Sequence, residues 1–179
     1  MRAFLIDCYM FFLNHIIRHV PFYCIRRLFY TIAGMKIGKT SRILMGVYIQ
    51  NPKGITIGEH CYINEFCMLD GRGGLTIKDN VSLSMYTKTL TATHDSNSSK
   101  FDYVEEPIVL EENVWTGIGS IILPGTRLPK GVIIAAGSVA IKNTIYEEKN
   151  VYSGVPAKKI GVRKYKDLYQ LPDWKPRFR

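Results

Sequence analysis

Long apolar runs are missing from this chain of 179 residues. The uncharged N-terminal stretch from Cys8 to Ile17 is about half the roughly 20 residues that a membrane-spanning helix needs. It lies between Asp7 and Arg18, and no small-residue cleavage site follows it. We therefore expect neither a spanning helix nor a signal peptide.

Cysteine is also scarce, with four residues at positions 8, 24, 61 and 67. Their spacing is not that of a zinc site. We interpret them as reduced thiols, since disulfides are rare in reducing compartments. This predicts a cytoplasmic protein, or one attached peripherally to the inner face of the plasma membrane.

Acidic residues are too few to balance the basic ones. The chain has 15 Asp and Glu and 24 Lys and Arg, which gives a formal net charge of +9. Residues 1–36 and 163–179 each carry +4, whereas the centre carries only +1. A nearly neutral centre without a recognition motif excludes nucleic-acid binding. With 46% hydrophobic residues and a mean hydropathy of −0.02, the chain predicts one folded domain with appendages.

Aliphatic residues, replaced by threonine in two hexads, recur every six positions through the centre, apart from extra pairs at 55–56 and 75–76 and a break after His94. The first positions of these hexads are Ile37, Ile43, Ile49, Ile57, Ile63, Leu69, Ile77, Leu83, Thr89, Leu110, Thr116, Ile122, Leu128, Ile134 and Ala140. The fifth position is small or β-branched in nearly every hexad, and Cys61 and Cys67 occupy it. A period of six fits neither an α-helix nor a hairpin meander. It fits a parallel β-helix in which each hexad is one strand and a corner, and three hexads complete a triangular coil.

The predicted fold is therefore mostly β, a β-helix of about five coils over residues 37–162 with a polar loop at 95–109. Residues 1–36 predict two amphipathic helices divided by Pro21, and residues 163–179 predict a basic tail that clasps another subunit or lies in solvent. Two interpretations of the helices stay open. They cap the β-helix or pack between subunits, or they bind an anionic membrane surface.

Four motifs near the end of the repeat are more specific. They are Val114-Trp115-Thr116-Gly117, Ile122-Leu123-Pro124-Gly125, Ala136-Gly137-Ser138-Val139 and Ser153-Gly154-Val155-Pro156-Ala157. With them the chain resembles the hexapeptide-repeat acyltransferases, most of all the maltose, galactoside, nodulation-factor and capsular-polysaccharide O-acetyltransferases. The resemblance covers residues 37–162 and implies a left-handed parallel β-helix, an exception to the right-handed crossover rule. It also implies acetyl-CoA as acetyl donor, no metal, and a homotrimer with sites at the subunit interfaces.

His94 is the candidate general base. It stands where the hexads stop and the predicted loop begins, whereas His15 and His19 lie on the N-terminal helix and His60 lies at a coil corner. The resembled enzymes keep their catalytic histidine at this place, and histidine is the natural base near neutral pH. Only His60 and His94 fall within the repeat, which is too few for a three-histidine zinc site.

Three polar residues are candidates to act beside His94. The resemblance implies that Asn64 lines the acceptor site and that Asp70 accepts hydrogen bonds from sugar hydroxyls, although both residue types also favour coil corners. Asp95 is a candidate to orient His94, against the tendency of neighbouring residues on an extended chain to point apart.

The donor site is expected on the last coils. Trp115 would wall the pantetheine arm, and Gly117, Ala136 and Gly137 would let a narrow cofactor lie against the backbone. The candidates for the CoA phosphates are Lys142, Lys158 and Lys159. Ile118 and Ile141 stand where the galactoside-type enzymes commonly have hydroxyl residues, so the donor hydrogen bonds must differ there.

These patterns predict an acetyl-CoA-dependent O-acetyltransferase that modifies a sugar hydroxyl of a cell-surface polysaccharide or its precursor. Two alternatives stay open. One is an acetyltransferase of a small sugar or an antibiotic, and the other is a non-catalytic β-helix scaffold, which has no need for a histidine at the base of a loop.

Overall fold

The computed structural model describes residues 2–164 and 169–173. Helices α1 (Arg2–His15) and α2 (Tyr23–Ile32) come first and flank a short 3-10 helix, Ile17–His19; a second 3-10 helix spans Pro52–Gly54. The strands follow as β1 (Lys36–Ile37), β2 (Arg42–Ile43), β3 (Tyr48–Gln50), β4 (Ile55–Ile57), β5 (Tyr62–Ile63), β6 (Met68–Asp70), β7 (Leu75–Ile77), β8 (Ser82–Leu83), β9 (Lys88–Thr89), β10 (Ala92–His94), β11 (Tyr103–Glu105), β12 (Ile108–Leu110), β13 (Trp115–Thr116), β14 (Ile121–Ile122), β15 (Arg127–Leu128), β16 (Ile133–Ile134), β17 (Val139–Ala140), β18 (Asn150–Ser153) and β19 (Lys158–Val162).

Three parallel sheets form the faces of a triangular prism. Sheet 1 has the order β1-β4-β7-β12-β15, sheet 2 has β2-β5-β8-β13-β16-β18, and sheet 3 has β3-β6-β9-β14-β17. Each strand pairs with the strand one coil further along, so that Ile43 lies opposite Ile63 and Ile63 opposite Leu83. The predicted β-helix is therefore confirmed. It has five coils, and β18 begins a sixth before the antiparallel β19 pairs with it.

The first and fifth hexad positions fill the interior of the prism. Ile43, Ile63 and Leu83 are fully buried, and so are Cys61 and Cys67. Burial raises the pKa of Cys61 to about 11 and that of Cys67 to about 12. Both side chains are therefore neutral, space-filling thiols at physiological pH, as their place in a size-limited column predicts.

The three corners of the prism differ in regularity. The corner between sheets 2 and 3, here the 2–3 corner, is a two-residue turn in every coil, at 45–46, 65–66, 85–86, 118–119 and 136–137. The corner between sheets 3 and 1, here the 3–1 corner, varies in length and includes residues 51–54, 71–74, 90–107 and 123–126. Chain insertions are confined to corners of this kind because a longer strand would break the stacked register.

The N-terminal helices cover the open end of the first coil. Its carbonyl groups have no preceding coil to accept from, and polar side chains of the helices donate to them instead. Asn14 donates to Ile49 O and accepts from Ile49 N, at 2.8 and 2.9 Å. Arg26 donates to Ile43 O at 3.0 Å, and Arg27 donates to the carbonyls of residues 37 and 38, both at 2.8 Å. The helices therefore cap the first coil by supplying hydrogen-bond partners to its open edge.

The described part of the C-terminal tail lies against the prism's own corner between sheets 1 and 2. Leu171 N donates to Asn80 Oδ1 at 2.9 Å, and Asp173 pairs with Arg42 at 3.0 Å. Within residues 169–173 the tail therefore contacts its own chain rather than only solvent. Residues 165–168 and 174–179, which the predicted tail includes, lie outside the described residues.

Candidate active site

A β-hairpin carries His94 away from the 3–1 corner. Its strands β10 and β11 are antiparallel, and His94 lies opposite Tyr103. The predicted loop at 95–109 is corrected at both ends, since the excursion begins at Ala92 and the chain has rejoined sheet 1 by Ile108. Ile108 and Leu110 are fully buried, so hydrophobic burial holds this end of the segment in the prism.

Phe101 orients the His94 ring. The Nδ1 atom lies 2.9 Å from Phe101 O, and the two rings stack with centroids 4.1 Å apart at 9°. A carbonyl oxygen only accepts hydrogen bonds, so in the neutral ring Nδ1 carries the proton and Nε2 carries the lone pair. Nε2 has no hydrogen-bond partner within the described parts of the chain, and His94 is exposed. This is the tautomer that a general base requires.

Asp95 does not orient His94. Its carboxylate accepts the Asn97 N–H at 2.8 Å, and its backbone N–H donates to Asp102 O at 2.9 Å. These bonds form the turn at the tip of the hairpin. The prediction that Asp95 orients His94 is therefore wrong in geometry. The backbone carbonyl of Phe101, not a carboxylate, orients the His94 ring.

Asp70 is buried, and both its carboxylate oxygens are already engaged. Arg72 donates to them from Nε, Nη2 and its backbone N–H at 2.9–3.0 Å, and the backbone N–H of Thr91 donates at 2.9 Å. Burial by itself raises the pKa of Asp70, but these donors outweigh it and the net pKa is lowered. The predicted contact with sugar hydroxyls is corrected, because no carboxylate oxygen faces solvent.

The Asp70–Arg72 pair supports the hairpin instead. Thr91 precedes β10 directly, and its hydroxyl also donates to Asp70 O at 3.1 Å. The guanidinium of Arg72 lies 6.0 Å from the ring centroid of Tyr103, and the Tyr103 ring meets His94 edge-on at 5.6 Å. A chain of contacts thus runs from a buried carboxylate to the His94 ring. Sequence reasoning missed Arg72, Phe101 and Tyr103. Aromatic residues that can stack on a ring stand just after His94 and were the available signal for Phe101 and Tyr103.

Asn64 and the predicted donor residues lie at the other corner. Asn64 follows β5 at the start of the 2–3 corner, and its Nδ2 donates to Leu83 O at 2.6 Å. Trp115 is 42% exposed on sheet 2, and its Nε1 donates to Ser84 Oγ at 3.1 Å. Ser84 occupies the same coil position as Asn64, one coil further along. The indole is therefore partly exposed on the outer surface of sheet 2, where it stays a candidate to contact the donor.

Glycine suits the two predicted positions, 117 and 137, for different physical reasons. A Cβ on Gly117 would lie 2.4 Å from Ala136 N, so glycine there allows close stacking of two coils. Gly137 has φ 65° at the corner, and a Cβ on it would meet no atom within 4 Å. Gly137 and the exposed Ala136 therefore leave an unobstructed strip of backbone.

Two aromatic residues occupy the same corner column and were missed by sequence reasoning. The column reads Gly46, Phe66, Tyr86, Gly119 and Gly137, all with positive φ. Phe66 and Tyr86 have φ values of 59° and 61°, and their rings stack with centroids 5.4 Å apart. Bulky residues in this conformation are strained by roughly 1–3 kcal/mol. Aromatics in a column that is otherwise glycine were the available signal.

The three lysines proposed for the CoA phosphates are not equivalent. Lys142 pairs with Glu106 at 2.6 Å near the hairpin base, and Lys159 pairs with Glu147 at 2.7 Å. Lys158 is exposed on β19. Lys142 therefore lies at the 3–1 corner rather than beside Trp115, and its charge and that of Lys159 are already neutralised. Residues 2–164 and 169–173 contain no group of three or more His, Cys, Asp and Glu side chains placed to hold a metal ion.

Within one chain, the two halves of the predicted site lie at different corners. His94 leaves the 3–1 corner, whereas Asn64, Trp115, Ala136 and Gly137 lie at or beside the 2–3 corner. The width of sheet 3 separates the corners, and a hexad of extended chain spans up to roughly 20 Å. A single chain therefore does not bring His94 together with the residues predicted to bind the acetyl donor.

Solved structures share this architecture. A hexapeptide-repeat acetyltransferase from Vibrio cholerae superposes with a TM-score of 0.80 and 25% identity over 92% of this chain and 94% of its own. In its fold the chain is similar to the hexapeptide-repeat acetyltransferases. The Vibrio member of the family was also solved with acetyl coenzyme A, and that structure has a TM-score of 0.71 at 25% identity, covering 92% of this chain and 90% of its own. No protein-family model matches the chain.

Several curated relatives of this chain are named for sugar modification. The putative colanic acid biosynthesis acetyltransferase WcaF of Escherichia coli is 29% identical over 110 residues, 62% of this chain and 60% of the relative. The dTDP-4-amino-4,6-dideoxy-D-glucose acyltransferase of Escherichia coli is 29% identical over 153 residues, 68% of this chain and 79% of the relative. The match thus spans about 60% of the first relative's length.

Proposed function

We propose that the chain is an acetyl-CoA-dependent O-acetyltransferase whose acceptor is a sugar hydroxyl of a cell-surface polysaccharide or its precursor. The observation that carries the proposal is the exposed Nε2 lone pair of His94, which the Phe101 carbonyl sets by binding Nδ1 at 2.9 Å. The relatives named for colanic acid and for lipopolysaccharide O-acetylation support the acceptor class.

The proposed reaction uses His94 twice. Nε2 takes the hydroxyl proton as the sugar oxygen attacks the thioester carbonyl, and the resulting imidazolium keeps its Nδ1–H bond to Phe101 O. When the tetrahedral intermediate collapses, the C–S bond breaks and the sulfur leaves with the proton that Nε2 returns. A base that gains and returns one proton needs no other titrating group, and positioned bases of this kind contribute roughly 10²- to 10⁴-fold in rate.

The complete site in this proposal lies between two subunits of a homotrimer. The hairpin of one subunit would bring His94 to the 2–3 corner of the next, where Trp115, Ala136 and Gly137 receive the donor. Support comes from the separation of the two halves in one chain and from apolar side chains at the 2–3 corner. Phe66, Tyr86, Trp115 and Ile118 are there 42–52% exposed, a surface suited to burial by substrate or another subunit.

One relative favours a second acceptor class. The acyltransferase for dTDP-4-amino-4,6-dideoxy-D-glucose is matched over 79% of its length, so a small nucleotide-linked sugar is the specific alternative. The base would act on an amine rather than a hydroxyl, with the same proton transfers. The open Nε2 of His94 serves both acceptors, and only their binding differs.

A thiol-release assay with acetyl-CoA tests the proposal. The panel contains oligosaccharides, free sugars and a nucleotide-linked amino sugar, and His94→Ala is compared with parent enzyme. We expect turnover on at least one acceptor, loss of at least 10²-fold in His94→Ala, and retained CoA binding by calorimetry. His15→Ala, an exposed histidine on α1, is the matched control and should keep full turnover.

Near-normal turnover of His94→Ala would remove the mechanism. Turnover on no acceptor, together with no CoA binding by the parent enzyme, would instead favour the non-catalytic scaffold. Turnover only on the nucleotide-linked amino sugar would establish the alternative acceptor.

A further inference from the structure

Helix α2 is packed with its polar side inward. Arg26 is fully buried and Arg27 donates to two carbonyls of the first coil, while the Tyr23 hydroxyl donates to Ser41 O at 3.0 Å. A helix at the surface of a globular protein normally buries its apolar side and exposes its charges. Capping the open coil reverses this arrangement, because bare carbonyl groups need donors rather than methyl groups.

The apolar side of α2 consequently faces outward. Ile25, Leu28 and Ile32 are 38%, 56% and 63% exposed. Helix α1 adds Phe4, Leu5, Ile6 and Phe11, which are 53–68% exposed. The two sets are continuous, since Leu5, Ile6 and Ile32 line one groove between the helices and the first coil. We call these seven residues the outer helical face.

This face is too apolar to be an ordinary solvated surface. Fully burying one large aliphatic or aromatic side chain gains about 1.5–3 kcal/mol, and seven such side chains are exposed together here. Scattered exposed apolar residues need no explanation, but a continuous patch marks a contact with another apolar phase.

The charge around the face identifies that phase. Three exposed lysines, Lys36, Lys39 and Lys53, lie at this end of the protein, where residues 1–58 contain a single acidic residue, Asp7. Lys53 lines the same groove as Leu5 and Ile32, and Lys36 is exposed just after α2. Two copies meeting through this end would bring their exposed lysines together. An anionic lipid surface offers both the apolar phase and the countercharge.

We infer that the outer helical face lies in the interface of an anionic bilayer, with the helices in the membrane plane and the prism standing away from it. None of the helices formed by the described residues is long and apolar enough to cross a membrane, so the contact is peripheral. An acceptor glycan held on a membrane lipid would then meet the enzyme at its own surface. The inference itself does not depend on the acetyl-transfer reaction.

Vesicle co-sedimentation of the full chain tests the inference. The probes are phosphatidylcholine vesicles with and without phosphatidylglycerol. We expect binding to the anionic vesicles, weaker binding at high salt, and at least a tenfold loss of partitioning in Leu28→Gln/Ile32→Gln. The matched control is Ile145→Gln/Ile160→Gln, whose side chains are 86% and 65% exposed elsewhere and should leave binding unchanged. Lys36→Gln/Lys53→Gln should weaken binding about fivefold per charge.

Absence of parent binding to anionic vesicles would overturn the inference, and so would equal binding of Leu28→Gln/Ile32→Gln. If that variant instead changes the oligomeric state in sedimentation velocity, the face is an interface between copies and the lipid assignment is wrong. Thermal unfolding of each variant confirms that it is folded, which exposed positions permit.

Discussion

The two corners that carry the proposed site are built by opposite means. The 2–3 corner repeats a two-residue turn in every coil, so Gly119 and Gly137 stack in register and present a straight strip of backbone. The 3–1 corner departs from the repeat, and the hairpin with His94 grows from it on a base of buried ionic and hydrogen bonds. The regular stacking of the 2–3 corner suits an extended acetyl donor. The hairpin inserted at the 3–1 corner instead places one reactive side chain far from the prism wall.

A mixing experiment gives the largest effect and tests whether the corners work in pairs from different subunits. His94→Ala disables the 3–1 half, and Ala136→Trp fills the 2–3 half at an exposed position. Each variant alone should lose at least 10²-fold in turnover. Co-expressed in equal amounts, they should recover about one quarter of parent activity, because random assembly leaves that share of interfaces with both intact halves.

The control co-expresses His94→Ala with His94→Gln, which damages the same half twice and should recover nothing. Full inactivity of the first mixture in verified mixed oligomers would mean that one subunit supplies both halves. A fully active monomer in sedimentation would contradict the shared site altogether.

Asp70→Asn tests the base of the hairpin. The substitution removes the ion pair with Arg72, and we expect a loss of about 2–3 kcal/mol in the free energy of unfolding, measured in urea. Arg72→Lys keeps the charge but loses the paired donors, so it should cost less. If Asp70→Asn instead left stability unchanged and raised only the KM for the acceptor, Asp70 would contact the sugar after all.

The stability difference should also depend on pH. The folded pKa of Asp70 is lowered, so its contribution is present above the unfolded pKa of about 3.9 and is lost as pH falls through the lower folded value. The gap between parent and Asp70→Asn should therefore be full near neutral pH and shrink below about pH 4. Urea titrations at several pH values measure it, and a pH-independent gap would contradict the ionic explanation.

Tyr86→Asn should have the smallest effect and tests strain at the 2–3 corner. Asparagine tolerates positive φ, so relief of strain should raise the free energy of unfolding by about 1 kcal/mol. Loss of the ring stack on Phe66 should lower it by about 0.5–1.5 kcal/mol. The net change in unfolding free energy should stay within about 1 kcal/mol. Tyr86→Phe, which keeps ring and strain, is the control and should be neutral. A large destabilisation would show that the ring stack, not the turn, holds this corner.

Sequence reasoning succeeded where a residue's role follows from its place in the repeat. The hexad columns predicted the buried thiols of Cys61 and Cys67, and the break in the hexads located His94. It failed where a role depends on contacts across coils. Asp70 and Thr91 are 21 residues apart, yet they share a hydrogen bond because one coil stacks on the next. Asp95 was favoured by adjacency to His94, but an antiparallel register brought the Phe101 carbonyl there instead.

The amino-acid sequence by itself determined the β-helix, because a six-residue apolar period can be buried only by stacking coil upon coil. It also determined the positive charge of the two ends. Only the tertiary structure decided which side of α2 faces outward, since unpaired carbonyls of the first coil draw Arg26 and Arg27 inward against the usual preference. It likewise decided that the two halves of the proposed site lie at separate corners, because the position of a corner depends on how many residues each turn of the prism contains.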